Sequence, residues 1–275
     1  MTTIFIGGGN MATALIGGMI ARGAVACDFA VVEPSAEQRT RIAAAYPGAA
    51  LHAAASPSAL AGAELVVFAV KPQQMREAAA ALAPYVTAGA PVVLSIAAGI
   101  RLADLGRWLG GYGRLVRSMP NTPALIGKGI SGAFAPAEVD AAGRARAHAA
   151  LAAVGDVLWV PNEQMLDAIT GVSGSGPAYV FYFLEALDAA ARELGFSRED
   201  ARKLAYATFG GAVALAHDSD LEPATLRAHV TSKGGTTERA LASMEAAAVK
   251  TSIVAAVKAA AERARELGDA FGKDD

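Results

Sequence analysis

The sequence is poor in cysteine, in aromatic residues and in clustered charge, and each shortage excludes something. A single cysteine, Cys27, rules out an internal disulfide and fits a reducing compartment. Its expected place is a small apolar space. Lys and Arg are scattered and the formal net charge is -2, which argues against a nucleic-acid partner. The longest apolar region, Ala78 to Ile100, is interrupted by Pro84, Gly89, Pro91 and Gly99. It therefore reads as helix, turn and buried strand rather than a membrane span. The chain opens directly on the strand pattern TTIFIGGG, without a charged n-region and apolar h-region. No signal peptide, and a cytoplasmic location, are expected. The four histidines, His52, His148, His217 and His229, form no catalytic pattern with a paired acid, and no metal site is expected.

What is present is length and alanine. The 275 residues suffice for two domains and a large core. Short apolar runs bounded by Gly or Pro predict strands at Thr3–Ile6, Phe29–Val32, Leu65–Val70, Pro91–Ile96, Arg114–Ser118, Ile130–Phe134 and Val157–Val160. Segments of helical composition lie between them, such as Met11–Arg22, Ala36–Ala45 and Pro72–Leu82. Alternation of this kind predicts a doubly wound α/β sheet over residues 1–160. After Val160 the strand signal stops. Glu163–Thr170, Pro177–Leu194, Arg198–Asp218, Pro223–His229, Thr236–Met244 and Val249–Leu267 all read as helices, giving an all-helical domain over residues 161–275. The Pro177–Leu194 helix is apolar around much of its circumference, so it must be buried on several sides. A partner subunit is the expected cover. The charged tail, Gly272 to Asp275, is expected to fray.

IFIGGGNMATALIGGMIARG is a strand, a glycine turn and a helix in order. Gly7, Gly9 and Ala12 fit the fingerprint G-x-G-x-x-G/A for a dinucleotide. The first glycine makes the tight turn, the second lets a pyrophosphate approach the backbone, and the small third residue lets helix pack on strand. A glycine turn kept for packing alone is the competing reading. At the end of the second strand two cues conflict. Glu33 is placed to accept from a ribose 2′-hydroxyl, which favours NAD(H), whereas Ser35 and Arg39 are placed to hold a 2′-phosphate, which favours NADP(H). FAVKPQ ends the third strand, where Pro72 turns the chain and Val70 and Lys71 line the ligand edge. SIAAG, with Ala97, sits at the next carboxyl edge.

LEPATLRAHVTSKGGTTERALASME, from Leu221 to Glu245, places Thr231, Ser232, Gly234, Gly235, Thr236 and Thr237 between two helical patterns. The free N–H groups of the helix start after Gly235, with the positive end of its dipole, make a site for a small anion such as a carboxylate. An ordinary connection with a Thr N-cap is the competing reading.

With these pieces assembled, the chain resembles the pyrroline-5-carboxylate reductases over essentially its full length. FIGGGNMA, FAVKPQ, SIAAGI, RSMPNTPALIGKG, DAITGVSGSGPAYVFYFLEAL and PATLRAHVTSKGGTTERAL occur in that family's order. The last two are the specific ones. The resemblance implies a Rossmann-like domain followed by a helical dimerisation domain, and NAD(P)H-dependent reduction of 1-pyrroline-5-carboxylate to L-proline. It implies cofactor contacts at Gly7, Gly9, Asn10, Met11, Val70, Lys71 and Pro72, and it tips the conflict above towards NADPH, with NADH possible as the second donor. Asn121 to Pro123 and Ser173 to Gly176, with Ser175 among them, would shape the nicotinamide pocket. Ser232, Gly234, Gly235, Thr236 and Thr237 would hold the substrate. Where family members often carry Asn near the adenine ribose, this chain has Ser56. Homodimers or larger homo-oligomers are implied, without nucleic acid or membrane.

The substrate so implied is a five-membered cyclic imine with a carboxylate. If it binds as the protonated iminium, little acid–base help is needed, and positioning with a carboxylate clamp supplies most of the rate. Thr237 is then the catalytic residue, its hydroxyl hydrogen bonding towards the ring nitrogen and relaying a proton, directly or through water. The nearest competing enzyme is a 3-hydroxyacid dehydrogenase with a G-x-x-G-x-G-x-x-x-K helix start. Gly171, Gly174 and Gly176 match its glycines, but Val180 stands where the lysine base would be. A silent dinucleotide sensor competes from a different class, and a reductase of a six-membered cyclic imine from the same one.

Overall fold

The computed structural model describes Met1–Lys273, so the expectation for the last two tail residues, Asp274 and Asp275, lies outside the described residues. Strands β1 (Thr3–Ile6), β2 (Phe29–Val32), β3 (Ala50–His52), β4 (Leu65–Phe68), β5 (Val92–Ser95), β6 (Leu115–Met119), β7 (Gly129–Phe134) and β8 (Gly155–Trp159) form one sheet in the order β3-β2-β1-β4-β5-β6-β7-β8. Every pairing is parallel except β6 with β7. Helices α1 (Asn10–Ala21), α2 (Ala36–Ala45), α3 (Met75–Gly89), α4 (Leu102–Trp108) and α5 (Ala141–Ala152) connect the strands.

The central strands are apolar without alternation because both faces are covered. Phe5, Val31, Val67 and Leu94 point to one face, where they meet Leu15 and Ile16 of α1, Ile42 of α2 and Leu151 of α5. Ile4, Ile6, Val66 and Phe68 point to the other, against Met75 and Leu82 of α3 and Leu105 of α4. Each such side chain removed from water contributes about 1.5–3 kcal/mol. This is a Rossmann-like doubly wound layer arrangement, and it brings the carboxyl ends of β1, β2 and β4 to one edge.

Helices α6 (Met165–Ile169), α7 (Gly176–Glu193), α8 (Arg198–His217), α9 (Pro223–His229), α10 (Thr236–Ala246) and α11 (Val249–Phe271) follow the last strand. The chain divides into two compact units: Met1–Ser175 with the residues from Ala259 onward, and Gly176–Lys258. In the second unit, α7 has no fully buried residue, and Val180, Phe181 and Tyr182 are exposed. An apolar groove of about 340 Å³ lies among Tyr179, Phe183, Ile253 and Val257. Among the described residues no single helix is long and apolar enough to cross a membrane.

Three expectations are corrected. Cys27 is exposed, in a short turn before β2, and fills no apolar space. Pro84 does not end its helix. It sits exposed within α3, which runs on to Gly89; a solvent-facing proline leaves its orphaned carbonyl to water. The helix expected over Glu163–Thr170 is shorter, and continues from Thr170 to Gly174 as a π turn closed by the Ser175 N–H on the Thr170 carbonyl at 2.8 Å. Gly174 lies against the Met119 methyl there, and a Cβ at Gly132 would meet Ile169 at 2.7 Å, so small residues let the wider turn sit on the sheet.

Candidate active site

The glycine turn separates into residues the chain needs for itself and one it does not. Gly7 has φ +94°, and a Cβ there would stand 2.9 Å from the Ala69 carbonyl oxygen. A Cβ on Gly8 would collide with Ile42 of α2. Gly9 has an ordinary φ of -71°, and a Cβ there would meet nothing within 4 Å. Packing therefore explains Gly7 and Gly8 but not Gly9. Gly9 is the N-cap of α1, and the first helical bond is Thr13 N–H to its carbonyl at 3.0 Å. The amides of Asn10, Met11 and Ala12 are left open at the positive end of the helix, a ready anion site. Ala12 is wholly buried and lets α1 lie close on β1. These features fit the pyrophosphate of a dinucleotide.

A cleft of about 650 Å³ opens at this edge, lined by Gly7, Gly9, Ser35, Val70 and Lys71 among others. Lys71 is exposed and precedes the single 3-10 turn that Pro72 begins. Ala53, Ala54 and Ala55 line the cleft too, as do Gln74 and Glu77; nothing in their residue types marked them in advance. Ser56 follows this stretch, with its hydroxyl 3.0 Å from Ser58 Oγ and accepting the Ala59 N–H at 3.1 Å. Ala97, just beyond β5, is buried, and its amide reaches Ser95 Oγ at 3.4 Å.

Where β2 ends at the cleft, the side chains are engaged with the protein. Glu33 accepts the Gly8 N–H at 2.9 Å with one carboxylate oxygen and the Ser35 N–H at 2.9 Å with the other. Ser35 caps α2 by accepting the Gln38 N–H at 3.3 Å. Arg39 donates to the carbonyls of Glu33 at 2.6 Å and Pro34 at 2.7 Å.

Asn121 also spends its side chain on the fold. Its Nδ2 donates to the Ser173 carbonyl at 3.1 Å, and its Oδ1 accepts the Ile130 N–H at 3.0 Å. It thereby ties the start of β7 to the π turn that leads into Ser175. These two bonds fix the orientation of its side chain.

In the second unit, neither Thr236 nor Thr237 caps α10. The N-cap is Gly235, with no side-chain cap bond. The first helical bond is Arg239 N–H to the Gly235 carbonyl at 3.2 Å, which leaves the amides of Thr236, Thr237 and Glu238 open. Two amides of the glycine pair are used within the turn. Gly235 N–H donates to the Ser232 carbonyl at 3.0 Å, and Gly234 N–H donates to the Glu238 carboxylate at 2.7 Å. The turn is tight: Gly234 has φ +72°, and a Cβ on Gly235 would stand 3.0 Å from the Ser232 carbonyl oxygen.

Comparison with known proteins follows the same division. Residues 163–267 match the family model for pyrroline-5-carboxylate reductase dimerisation. Residues 2–99 match the model described as NADP oxidoreductase, coenzyme F420-dependent. A pyrroline-5-carboxylate reductase of Pseudomonas aeruginosa is 45% identical over 269 residues, covering 98% of this chain and 97% of that protein. One from Haemophilus influenzae is 38% identical, covering 97% of each. Among solved structures, a pyrroline-5-carboxylate reductase from Coxiella burnetii superposes with a TM-score of 0.89 at 36% identity, over 97% of this chain and 98% of that one. A Plasmodium falciparum pyrroline carboxylate reductase with NADP bound gives 0.85 at 26% identity, over 98% of both chains. An α/β layer with an open glycine turn, followed by helices with exposed apolar faces and an uncapped TSKGGTT turn, is thus matched along nearly its whole length, and the chain belongs to the pyrroline-5-carboxylate reductase family.

Proposed function

We propose that the protein reduces 1-pyrroline-5-carboxylate to L-proline with NADPH, or with NADH, as the last step of proline biosynthesis. The observation that carries the reading is the near-full-length identity to pyrroline-5-carboxylate reductases, 45% in one relative. Gly9, Asn10 and Met11 receive the pyrophosphate, and Gly7, Val70, Lys71 and Pro72 form the rest of that edge. Ser35 and Ser56 lie towards the adenosine, and Ala97 and Asn121 towards the nicotinamide. A bound reduced nicotinamide supplies the hydride for the imine carbon.

The α10 start holds the substrate. The open amides of Thr236 and Thr237, at the positive helix end, take the carboxylate, and Ser232, Gly234 and Gly235 shape the turn around it. Ser175 completes the substrate set. The Thr237 hydroxyl hydrogen bonds towards the ring nitrogen and relays a proton. Because the iminium form is already activated, orientation is the main demand on these residues. On this reading the working division falls near residue 160, with a cofactor domain before it and a substrate and dimerisation domain after it. A homodimer or larger homo-oligomer covers the exposed faces of α7 and α8. The single cysteine favours the cytoplasm.

Loss of reduced-nicotinamide absorbance with pyrroline-5-carboxylate, run with NADPH and NADH in parallel, tests the reading. Oxidation with proline as product is expected. No oxidation by protein that binds either cofactor would move it to another cyclic imine.

A further inference from the structure

Acidic residues at the end of the second strand of a Rossmann layer commonly accept from the ribose 2′-hydroxyl. Glu33 occupies that position, but its bonds point elsewhere. The backbone ladder between β1 and β2 ends with Gly7 N–H on the Val32 carbonyl at 2.8 Å. One residue later the Glu33 side chain continues it, taking the Gly8 N–H at 2.9 Å. From α2, Gln38 Nε2 donates to the Gly8 carbonyl. Both peptides flanking Gly8 are therefore gripped, one by a carboxylate at the end of β2 and one by an amide on α2. The second carboxylate oxygen is held by the Ser35 N–H at 2.9 Å, which fixes the Glu33 rotamer. Gly8 itself seats against the Ile42 Cδ1 methyl of α2, which would have to shift to admit a side chain.

We propose that Glu33 is a positioning residue: with Gln38 it clamps the Gly8 peptides and so presets Gly9 and the open amides of α1 for the pyrophosphate, rather than selecting the ribose. The proposal rests on the reading that this cleft takes a nicotinamide dinucleotide. The pyrophosphate is common to NADPH and NADH, so loosening the clamp weakens both by the same factor. A ribose ligand would instead act on NADH, which carries the free 2′-hydroxyl, and its charge would oppose a 2′-phosphate.

Glu33→Asp separates the two. Aspartate remains an acid at the ribose edge, but its side chain is shorter by about 1.5 Å, so it loses the Gly8 N–H while keeping reach to Ser35. Gln38→Leu removes the other half of the clamp without changing charge at the ribose edge. Equilibrium Kd values for NADPH and NADH, by quenching or enhancement of nicotinamide fluorescence, are the primary readout, with kcat, cofactor KM and Tm beside them. If the preset turn falls to between a third and a tenth of the population, both Kd values rise by roughly three- to tenfold and their ratio stays fixed. The same pattern is expected in both variants, with KM rising and kcat held within about twofold. A selective loss of NADH, or tighter NADPH, in a Glu33 variant would overturn the proposal. So would unchanged Kd values, whether or not Tm falls. If Glu33→Asp does not fold, Gln38→Leu decides alone. Because Kd is read without substrate, failure of the wild-type chain to reduce pyrroline-5-carboxylate would count against the proposed function and leave this test standing.

Discussion

Arg117 on β6 binds Asp167 on α6 at 3.2 Å, and Arg117 is only 3% exposed. Its guanidinium also reaches Glu163 at 3.0 Å, and the same Glu163 oxygen accepts the Leu102 N–H at 2.8 Å. Two residues further on, Met119 packs at Gly174, and two beyond that, Asn121 holds the Ser173 carbonyl. The period of two means that one face of β6 and its extension carries three successive anchors for the stretch from Glu163 to Gly174.

A buried charge that loses its partner is costly, about 3–5 kcal/mol, because the remaining carboxylates stay desolvated. Arg117→Met is therefore expected to lower the unfolding free energy by that order in urea titration. Adding Asp167→Asn and Glu163→Gln to it should recover part of the loss. A single variant within about 0.5 kcal/mol of wild type, as at an ordinary surface site, would show that the network contributes no stability.

Gly7 and Gly9 look alike in the fingerprint and are expected to respond in opposite ways. Gly7→Ala forces a left-handed backbone on alanine and a contact with the Ala69 carbonyl, so stability falls by more than about 1 kcal/mol. Gly9→Ala meets no atom of the chain, so stability changes by no more than about 1 kcal/mol, from the weaker N-cap. On the proposed cofactor placement its Cβ stands in the path of the pyrophosphate, and NADPH affinity should drop at least tenfold, about 1.4 kcal/mol. Thermal melts with and without NADPH read both effects.

Sequence is most legible where local chemistry and burial agree. The apolar runs at Thr3–Ile6 and Phe29–Val32 are the observed β1 and β2, because strands covered on both faces need no alternation and the glycines end them sharply. β3, Ala50–His52, is not legible: three partly exposed residues at the sheet edge carry too little apolar signal. The π turn at Thr170–Gly174 is hidden for another reason. Its width is set by Met119 and Ile169, which come from the sheet and from the preceding helix, and no local pattern encodes that packing. At the site, the residue types around Gly7–Met11 and Gly234–Thr237 are readable, but hydrogen-bond direction is not. Glu33 reads in sequence as a ribose ligand because its partner, the Gly8 amide, is 25 residues away in the chain.

Thr237 occupies the second helical position of α10, with Gly235 as the cap. Its hydroxyl is therefore free of the capping role that would tie it to stability. Thr237→Val is expected to lower kcat while NADPH Kd and Tm stay close to wild type. An unchanged kcat would remove the proton-relay role. A fall in unfolding free energy of about 1 kcal/mol with kcat intact would instead restore the capping explanation.

Tyr182, on α7, is 71% exposed in the single chain, beside exposed Phe181. Faces of this kind on a helix that is apolar nearly all round call for a cover. Light scattering at micromolar concentration is expected to give at least a dimer. Tyr182→Asp places a charge in that face and should shift the mass towards the monomer. A wild-type monomer would contradict the assignment of these helices to self-association.

Asp140 caps α5 by accepting the Gly143 N–H at 2.7 Å, and Arg114 lies 3.3 Å from the same carboxylate. The backbone bond, and then the guanidinium, hold its pKa below the usual 3.8. A carboxylate whose folded pKa is depressed contributes stability that is present above the unfolded value and is lost as pH falls through the folded one. Asp140→Asn keeps the cap but not the charge, since asparagine caps as well as aspartate. Urea midpoints should therefore favour wild type at neutral pH, and the two curves should converge as pH falls below 3.8 and through the lowered folded value. Curves that stay parallel down to that point would mean that the charge on Asp140 contributes nothing to the fold and that the cap acts through its hydrogen bond alone.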